Sequence, residues 1–125
     1  MNYVTSFKGL EVYKIARLLS AEVFVLSRNF PKEEKYSLTD QIRRSSRSVG
    51  AQLAEAWGKR KYEKHFVSKL SDADSEQFET QHWLEIACEC KYLDESEKNR
   101  MLNFCESIGK MLQSMIDKAP LFCRT

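Results

Sequence analysis

Glycine, proline and histidine are scarce in this chain, and long uncharged runs are missing. Four Gly and two Pro in 125 residues leave few places for turns, so long helices with short connections follow. The four cysteines, Cys88, Cys90, Cys105 and Cys123, show no Cys-x-x-Cys spacing, and three of them fall inside helical patterns, where a reduced thiol behaves as a small hydrophobe. Free thiols and a cytoplasmic location are expected. The uncharged stretches Leu18 to Ala21 and Val23 to Ser27 are far short of the ~20 apolar residues that span a bilayer. Met1 to Lys8 lacks the charged, apolar and small-residue order of a secretion signal. No membrane partner is expected.

Apolar residues make up 42% of the chain and charged residues 30%, a balance that excludes disorder and collagen-like structure. A chain of this length buries roughly two-thirds of its unfolded surface and needs no disulfide or metal to fold, so residues 1–125 read as a single domain. The formal net charge is only +2. Its distribution says more: residues 36–65 carry seven Lys/Arg against three acids, whereas residues 66–93 carry two Lys against six acids. The middle of the chain is polarised, basic half first.

Four amphipathic segments can be read. The first, about 9–29, places Val12, Ala16, Leu19, Val23, Leu26 and Phe30 at alternating steps of four and three, one apolar seam of a helix. Tyr13, Leu18 and Phe24 broaden that stripe, and Phe30-Pro31 stops it. The second, about 37–58, opens at Ser37, with Asp40 three residues on as a capping box. It carries Leu38, Ile42, Val49, Leu53 and Trp57 together with a block of small residues: Ser45, Ser46, Ser48, Gly50, Ala51, Ala54 and Ala56. Small side chains let a neighbouring backbone approach closely. The third, about 62–91, keeps strict four–three spacing through Phe66, Leu70, Ala73, Gln77, Thr80, Leu84 and Ala87. Asp94 and Glu97 signal the start of the fourth, about 95–118, with Met101, Cys105, Ile108, Leu112 and Met115 inward and Pro120 ending it. Four such rods with short loops make an all-α, antiparallel up-and-down four-helix bundle.

Candidate chemistry is sparse. Glu79-x-x-His82 is half of a di-iron motif, but the only other histidine, His65, has no Glu three residues before it. A metal-dependent oxidase is therefore the weakest of three functional readings, and no metal, cofactor or catalytic residue is expected. Asp72, Glu76 and Glu79 share one helical face, which fits either a positive partner, in this chain or in a neighbouring subunit, or a plain solvated face. Ser45, Ser46 and Ser48 have neither a nucleophile elbow nor a placed base. Gln77 and Gln81 sit in or beside an apolar seam and Glu55 among small residues. A polar network joining Arg44, Glu55 and Gln81 would satisfy them and set the register of the bundle. The basic cluster of Arg43, Arg44, Arg47, Lys59, Arg60, Lys61 and Lys64 has the character of a nucleic-acid footprint. Tyr62, His65 and Phe66 stand beside it as planar groups for base stacking. Arg43, Arg47, Lys59, Arg60, Lys61 and Lys64 are the expected RNA or DNA contacts. The competing reading is an adaptor that binds another protein, with the charged helices serving only protein contacts.

One ordered set of motifs also resembles a known family. The stretch Phe30-Pro31-Lys32-Glu33-Glu34 with residues 38–49, LTDQIRRSSRSV, is similar to the signature of the four-helix-bundle proteins encoded in 23S ribosomal RNA intervening sequences. Ala51-Gln52-Leu53-Ala54-Glu55-Ala56, the opening Phe7-Lys8-Gly9-Leu10-Glu11-Val12-Tyr13, Phe66-Val67-Ser68-Lys69-Leu70 and Glu79-Thr80-Gln81 extend the likeness over nearly the whole chain. Gln52, Ala56 and Tyr13 stand where the family often has Asn, Gly and Trp. The resemblance implies a four-helix bundle and a ring-shaped homopentamer. It extends to the accessory protein of diversity-generating retroelements, a bundle ring that binds nucleic acid and a reverse transcriptase. It brings no catalytic residues.

Overall fold

The computed structural model describes residues 4–123. Its four long helices are α1 (Glu11–Ser27), α2 (Asp40–Gly58), α3 (Glu63–Glu89) and α4 (Glu95–Asp117), followed by a single turn, α5 (Ala119–Cys123). Among the described residues there is no strand. Each long helix packs on its neighbours in sequence, and α1 closes against α4, so the four stand at the corners of a square with α1 diagonal to α3. No described helix is long and apolar enough to cross a membrane.

The four–three seams are the interior. Val12, Ala16, Leu19 and Val23 of α1 meet Ile42, Val49 and Leu53 of α2, Phe66, Leu70, Ala73, Leu84 and Ala87 of α3, and Met101, Cys105, Ile108 and Leu112 of α4, all of them buried. Phe66 is the largest fully buried side chain, and its ring lies 5.8 Å from that of Phe122 on α5. Polar groups enter this interior only with partners. The Ser45 and Thr80 hydroxyls are 2.8 Å apart across α2 and α3. The buried Gln77 amide donates to Asp74 Oδ1 at 2.8 Å and its carbonyl accepts from Gln81 Nε2 at 2.7 Å. Gly109 on α4 makes room for it, because a Cβ there would stand 3.1 Å from Gln77 Nε2. Among the described residues no buried side-chain N or O atom lacks a hydrogen bond.

Helix ends follow local chemistry, with three departures from the sequence reading. The Asp94 capping box forms as expected: Glu97 N donates to Asp94 Oδ1 at 2.7 Å and Asp94 N to Glu97 Oε1 at 3.0 Å. The Ser37–Asp40 box does not. The chain is already coiled from Lys32, in a 3-10 turn and then a π turn over Lys35–Thr39, and Thr39 before α2 has helical torsions. No extended residue remains there to act as N-cap, and Ser37 Oγ donates instead to Glu34 Oε1 at 2.7 Å. Second, Pro120 does more than end α4. That helix finishes at Asp117, and Pro120 sits in the first turn of α5, where its missing N–H costs nothing. Third, Leu18 and Phe24 do not broaden the buried stripe but face outward. Each lies about 100° around α1 from the seam, on opposite edges of it, so neither enters the interior: Leu18 is open to solvent, and the Phe24 ring is covered by arginine side chains of α2.

The α3 end is closed by a Schellman motif. Tyr92 N donates to Ala87 O and Lys91 N to Cys88 O, both at 2.9 Å, with Lys91 in the left-handed region (φ 65°) usually taken by glycine. This turn delivers Tyr92 to the α1–α2 connection. There its hydroxyl donates to Glu34 Oε2 at 2.8 Å and its ring lies 5.6 Å from Phe30.

Replacing Phe66 with Ala opens the largest gap available in this interior and is expected to cost about 3–5 kcal/mol, read as a lowered urea midpoint with an unchanged slope. The Glu34–Tyr92 clasp predicts a pH signature. The Ser37 and Tyr92 hydroxyls hold the Glu34 carboxyl below its usual range. The Glu34 hydrogen bond, with burial, pushes the Tyr92 hydroxyl up to about 12. A depressed carboxyl loses its contribution as pH falls through its folded value. A raised phenol loses its own as pH rises from the ordinary ~10 towards that higher value. The stability gap between wild type and Tyr92→Phe should therefore be level in between and shrink at both extremes, as measured by urea melts across pH.

Candidate nucleic-acid interface

The residues of the basic cluster fall into two groups at different places on the bundle. α2 carries both. Its first half presents Arg43, Arg44 and Arg47, and its C-terminal end leads into Lys59, Arg60, Lys61 and Lys64. Arg47 and Lys59 are twelve residues apart, about 18 Å along a helix axis. One continuous stripe is not what the fold builds.

The second group forms the tip joining α2 to α3. α2 ends at Gly58, Lys59 N donates to Ala56 O and Tyr62 N to Lys59 O, both at 2.9 Å, and α3 begins at Glu63. This tight turn crowds four cations into six positions. Arg60 folds back, its Nε donating to Trp57 O at 2.9 Å and its guanidinium 3.6 Å from the centre of the Trp57 ring, a stacked cation–π pair. Lys59, Lys61 and Lys64 are exposed. Tyr62 is 57% exposed, with His65 5.6 Å away and Lys61 Nζ 6.0 Å from its ring. Among the described residues none of these four cations is in an ion pair. Phe66, expected to stack on bases, is fully buried. Tyr62 and His65 are the planar groups that remain accessible.

The first group has partners of its own. Arg43 Nε donates to Ser27 Oγ at 2.8 Å, and the guanidiniums of Arg43 and Arg47 lie 4.8 and 5.6 Å from the Phe24 ring. Arg44 pairs with Glu79 at 3.3 Å, and Trp83 Nε1 donates to the same carboxylate at 3.0 Å. The acidic face of α3 thus finds its positive partner within the chain, in part. The network of Arg44, Glu55 and Gln81 does not assemble: Glu55, exposed on α2, lies 3.6 Å from Lys69, and Gln81 bonds Gln77. The three side chains leave their helices in different directions, and each finds a nearer partner. Sequence reasoning missed Phe24 as the platform for two arginines and Trp57 as that for Arg60. The Phe24 pairs join separate helices, so no spacing along the chain announces them, whereas Trp57 and Arg60 stand only three residues apart and that local pairing was readable.

Among the described residues, the carboxylate and histidine of the Glu79-x-x-His82 motif are not drawn into a cluster. Glu79 is engaged by Arg44 and Trp83, while His82 is exposed, its ring 4.8 Å from that of Trp83. Among the described residues no three His, Cys, Asp or Glu side chains are grouped to hold a metal ion. Burial raises the thiols of Cys88 and Cys123 and pushes Cys105 up to about 12, the reverse of what a nucleophile needs.

These features define a class: an all-α bundle with a sealed interior whose distinctive chemistry is a cationic, aromatic tip. The chain belongs to the 23S rRNA-intervening sequence protein family, whose model matches residues 8–114. It is similar to a crystal structure, at 1.70 Å resolution, of a protein with unknown function from the S23 ribosomal protein family of Bacteroides thetaiotaomicron VPI-5482. The two are 28% identical, with a TM-score of 0.75 over 84% of this chain and 97% of that one. Among curated proteins there is no match.

The thiol environments make a simple expectation. In native protein a disulfide reagent should modify exposed Cys90 first, and Cys105 only after denaturation, as read by mass spectrometry of quenched samples.

Proposed function

We propose that this protein is a non-enzymatic, self-associating bundle that holds RNA or DNA against its α2–α3 tip. The observation that carries this reading is the set Lys59, Arg60, Lys61 and Lys64, four cations without an ion-pair partner among the described residues, around the exposed Tyr62 ring. Cations paired with phosphates release condensed counterions, and a Tyr face accepts an unpaired base without regard to sequence. Arg60 is already ordered on Trp57, so less of its side-chain freedom remains to be lost on binding. Arg43 and Arg47, engaged with Phe24 on the flank of the bundle, are assigned to protein contacts instead. The family's name concerns intervening sequences of 23S rRNA, which makes single-stranded RNA the first probe to use. Self-association is supported by the apolar side chains left outward on α1, and the resemblance noted above suggests a ring of five.

With four phosphate contacts per subunit, affinity should fall with a log–log salt slope of about −3, or about fifty- to one hundred and fifty-fold between 50 and 200 mM salt. Lys59→Ala with Arg60→Ala, Lys61→Ala and Lys64→Ala should abolish binding in a fluorescence-anisotropy titration. The pair Lys32→Ala and Lys35→Ala, at the other end of the bundle, should leave it within two-fold. A flat salt response, or equal losses from both sets, would overturn the reading and favour a protein-binding adaptor.

A further inference from the structure

The outward side of α1 and α2 forms a shallow groove of about 740 Å³. Its walls are Tyr13, Leu18 and Phe24 of α1, and its floor is Ala51 and Ala54 of α2. Part of the small-residue block, read from sequence as a device for close packing inside the chain, therefore faces outward. Ser45, Ser46, Gly50 and Ala56 are buried, whereas Ala51 is exposed and Ala54 half-buried. Seven small residues over twelve positions reach further around α2 than its contacts with α1 and α3 extend. Leu18 is 53% exposed and Phe24 39%, and such contiguous apolar surface marks a contact site. The polar rim is of one sign: Lys14, Arg17 and Arg47 line the groove, and no carboxylate does.

The complementary shape lies on the opposite side of the same bundle. Because α1 is diagonal to α3, the α3–α4 side faces directly away from the α1–α2 side. There Phe78 stands 59% exposed above a hollow between the two helices, with Asp74 and Glu106 beside it and Lys110 as the lone cation. An aromatic knob flanked by carboxylates is what an apolar groove with a guanidinium rim would take.

We infer that the α1–α2 groove is filled by Phe78 of a second copy of this chain, with Asp74 and Glu106 of that copy set against Arg17 and Arg47. The inference rests on the self-association in the reading above and supplies its surface. A second copy is preferred to a different protein because both halves of the contact, in shape and in sign, are present on one chain. Knob and groove sit on opposite sides, so the contact is heterologous: each copy offers a knob to one neighbour and a groove to the other, which generates a closed ring or an open filament. Arg43 and Arg47 hold the Phe24 ring in place from the protein side.

The geometry allows a complementation test on the full chain by size exclusion with light scattering. Wild type should elute as an oligomer, and Leu18→Asp (groove spoiled, knob intact) and Phe78→Asp (knob spoiled, groove intact) should each be monomers near 14.6 kDa. Both positions are exposed on the single chain, so helical circular dichroism should be unchanged, while melting should fall only by the lost subunit contacts and become independent of protein concentration. Arg47→Glu, at the rim, replaces Leu18→Asp if that variant folds poorly. Mixed in equal amounts, the two monomers should form a one-to-one dimer through the single good knob and single good groove that remain. A wild-type oligomer indifferent to both substitutions overturns this surface and leaves self-association standing. Two monomers that fail to complement overturn the head-to-tail contact. A monomeric wild type removes self-association altogether, while RNA binding at the tip is read separately by anisotropy and is untouched by that outcome.

Discussion

Everything on the surface of this protein depends on the shared interior of α2 and α3. Phe66, Leu70, Ala73 and Leu84 of one helix are buried with Ile42, Val49 and Leu53 of the other, and the Ser45–Thr80 hydrogen bond at 2.8 Å sets their register. A shift of one helix along the other would break that bond and leave each hydroxyl only a carbonyl of its own helix, Ile42 O at 3.3 Å for Ser45 and Glu76 O at 2.9 Å for Thr80, at a net cost of about 1 kcal/mol. With the register set, the tip is a tight turn of a few residues, and that turn is why four cations stand together.

Charge is distributed by the same frame. The basic half of the sequence is divided between two places because α2, 19 residues long, keeps its ends about 27 Å apart. At one end arginines are committed to Phe24, Ser27 and Glu79. At the other, lysines point to solvent. Elsewhere acids and bases meet across helices: Arg100 of α4 forms a two-pronged pair with Glu22 of α1, one arm at 2.8 Å, and Lys98 bridges Glu85 and Glu95, both at 3.1 Å. These exposed or half-exposed pairs contribute little to stability, but they mark which flanks of the bundle are already satisfied. The tip and the α1–α2 groove are not among them.

The bundle was readable because helical spacing is a local property. Val12, Ala16, Leu19 and Val23 point inward whatever surrounds them, and the Asp94–Glu97 box needs only its own turn. What could not be read was relational. Ser37 looks like a cap until Glu34 is seen to hold it, an interaction completed by Tyr92 from 58 residues away. Arg44, Glu55 and Gln81 are plausible companions in sequence, yet each turns to a nearer partner. Leu18 and Phe24 were indistinguishable from core residues by type; only their place around α1, off either edge of the buried seam, put them outside. The basic cluster was legible as composition, but its division needed the length and direction of α2.

The position of the tip at the end of the bundle, at right angles to the flanks, has a consequence for valency. Bundles joined flank to flank around an axis parallel to their helices would carry every α2–α3 turn on the same rim. One flexible strand could then engage several tips in succession, each attachment raising the local concentration for the next. On the proposed function, that arrangement would let a weak contact of four cations per subunit retain a long strand firmly, while short fragments would escape.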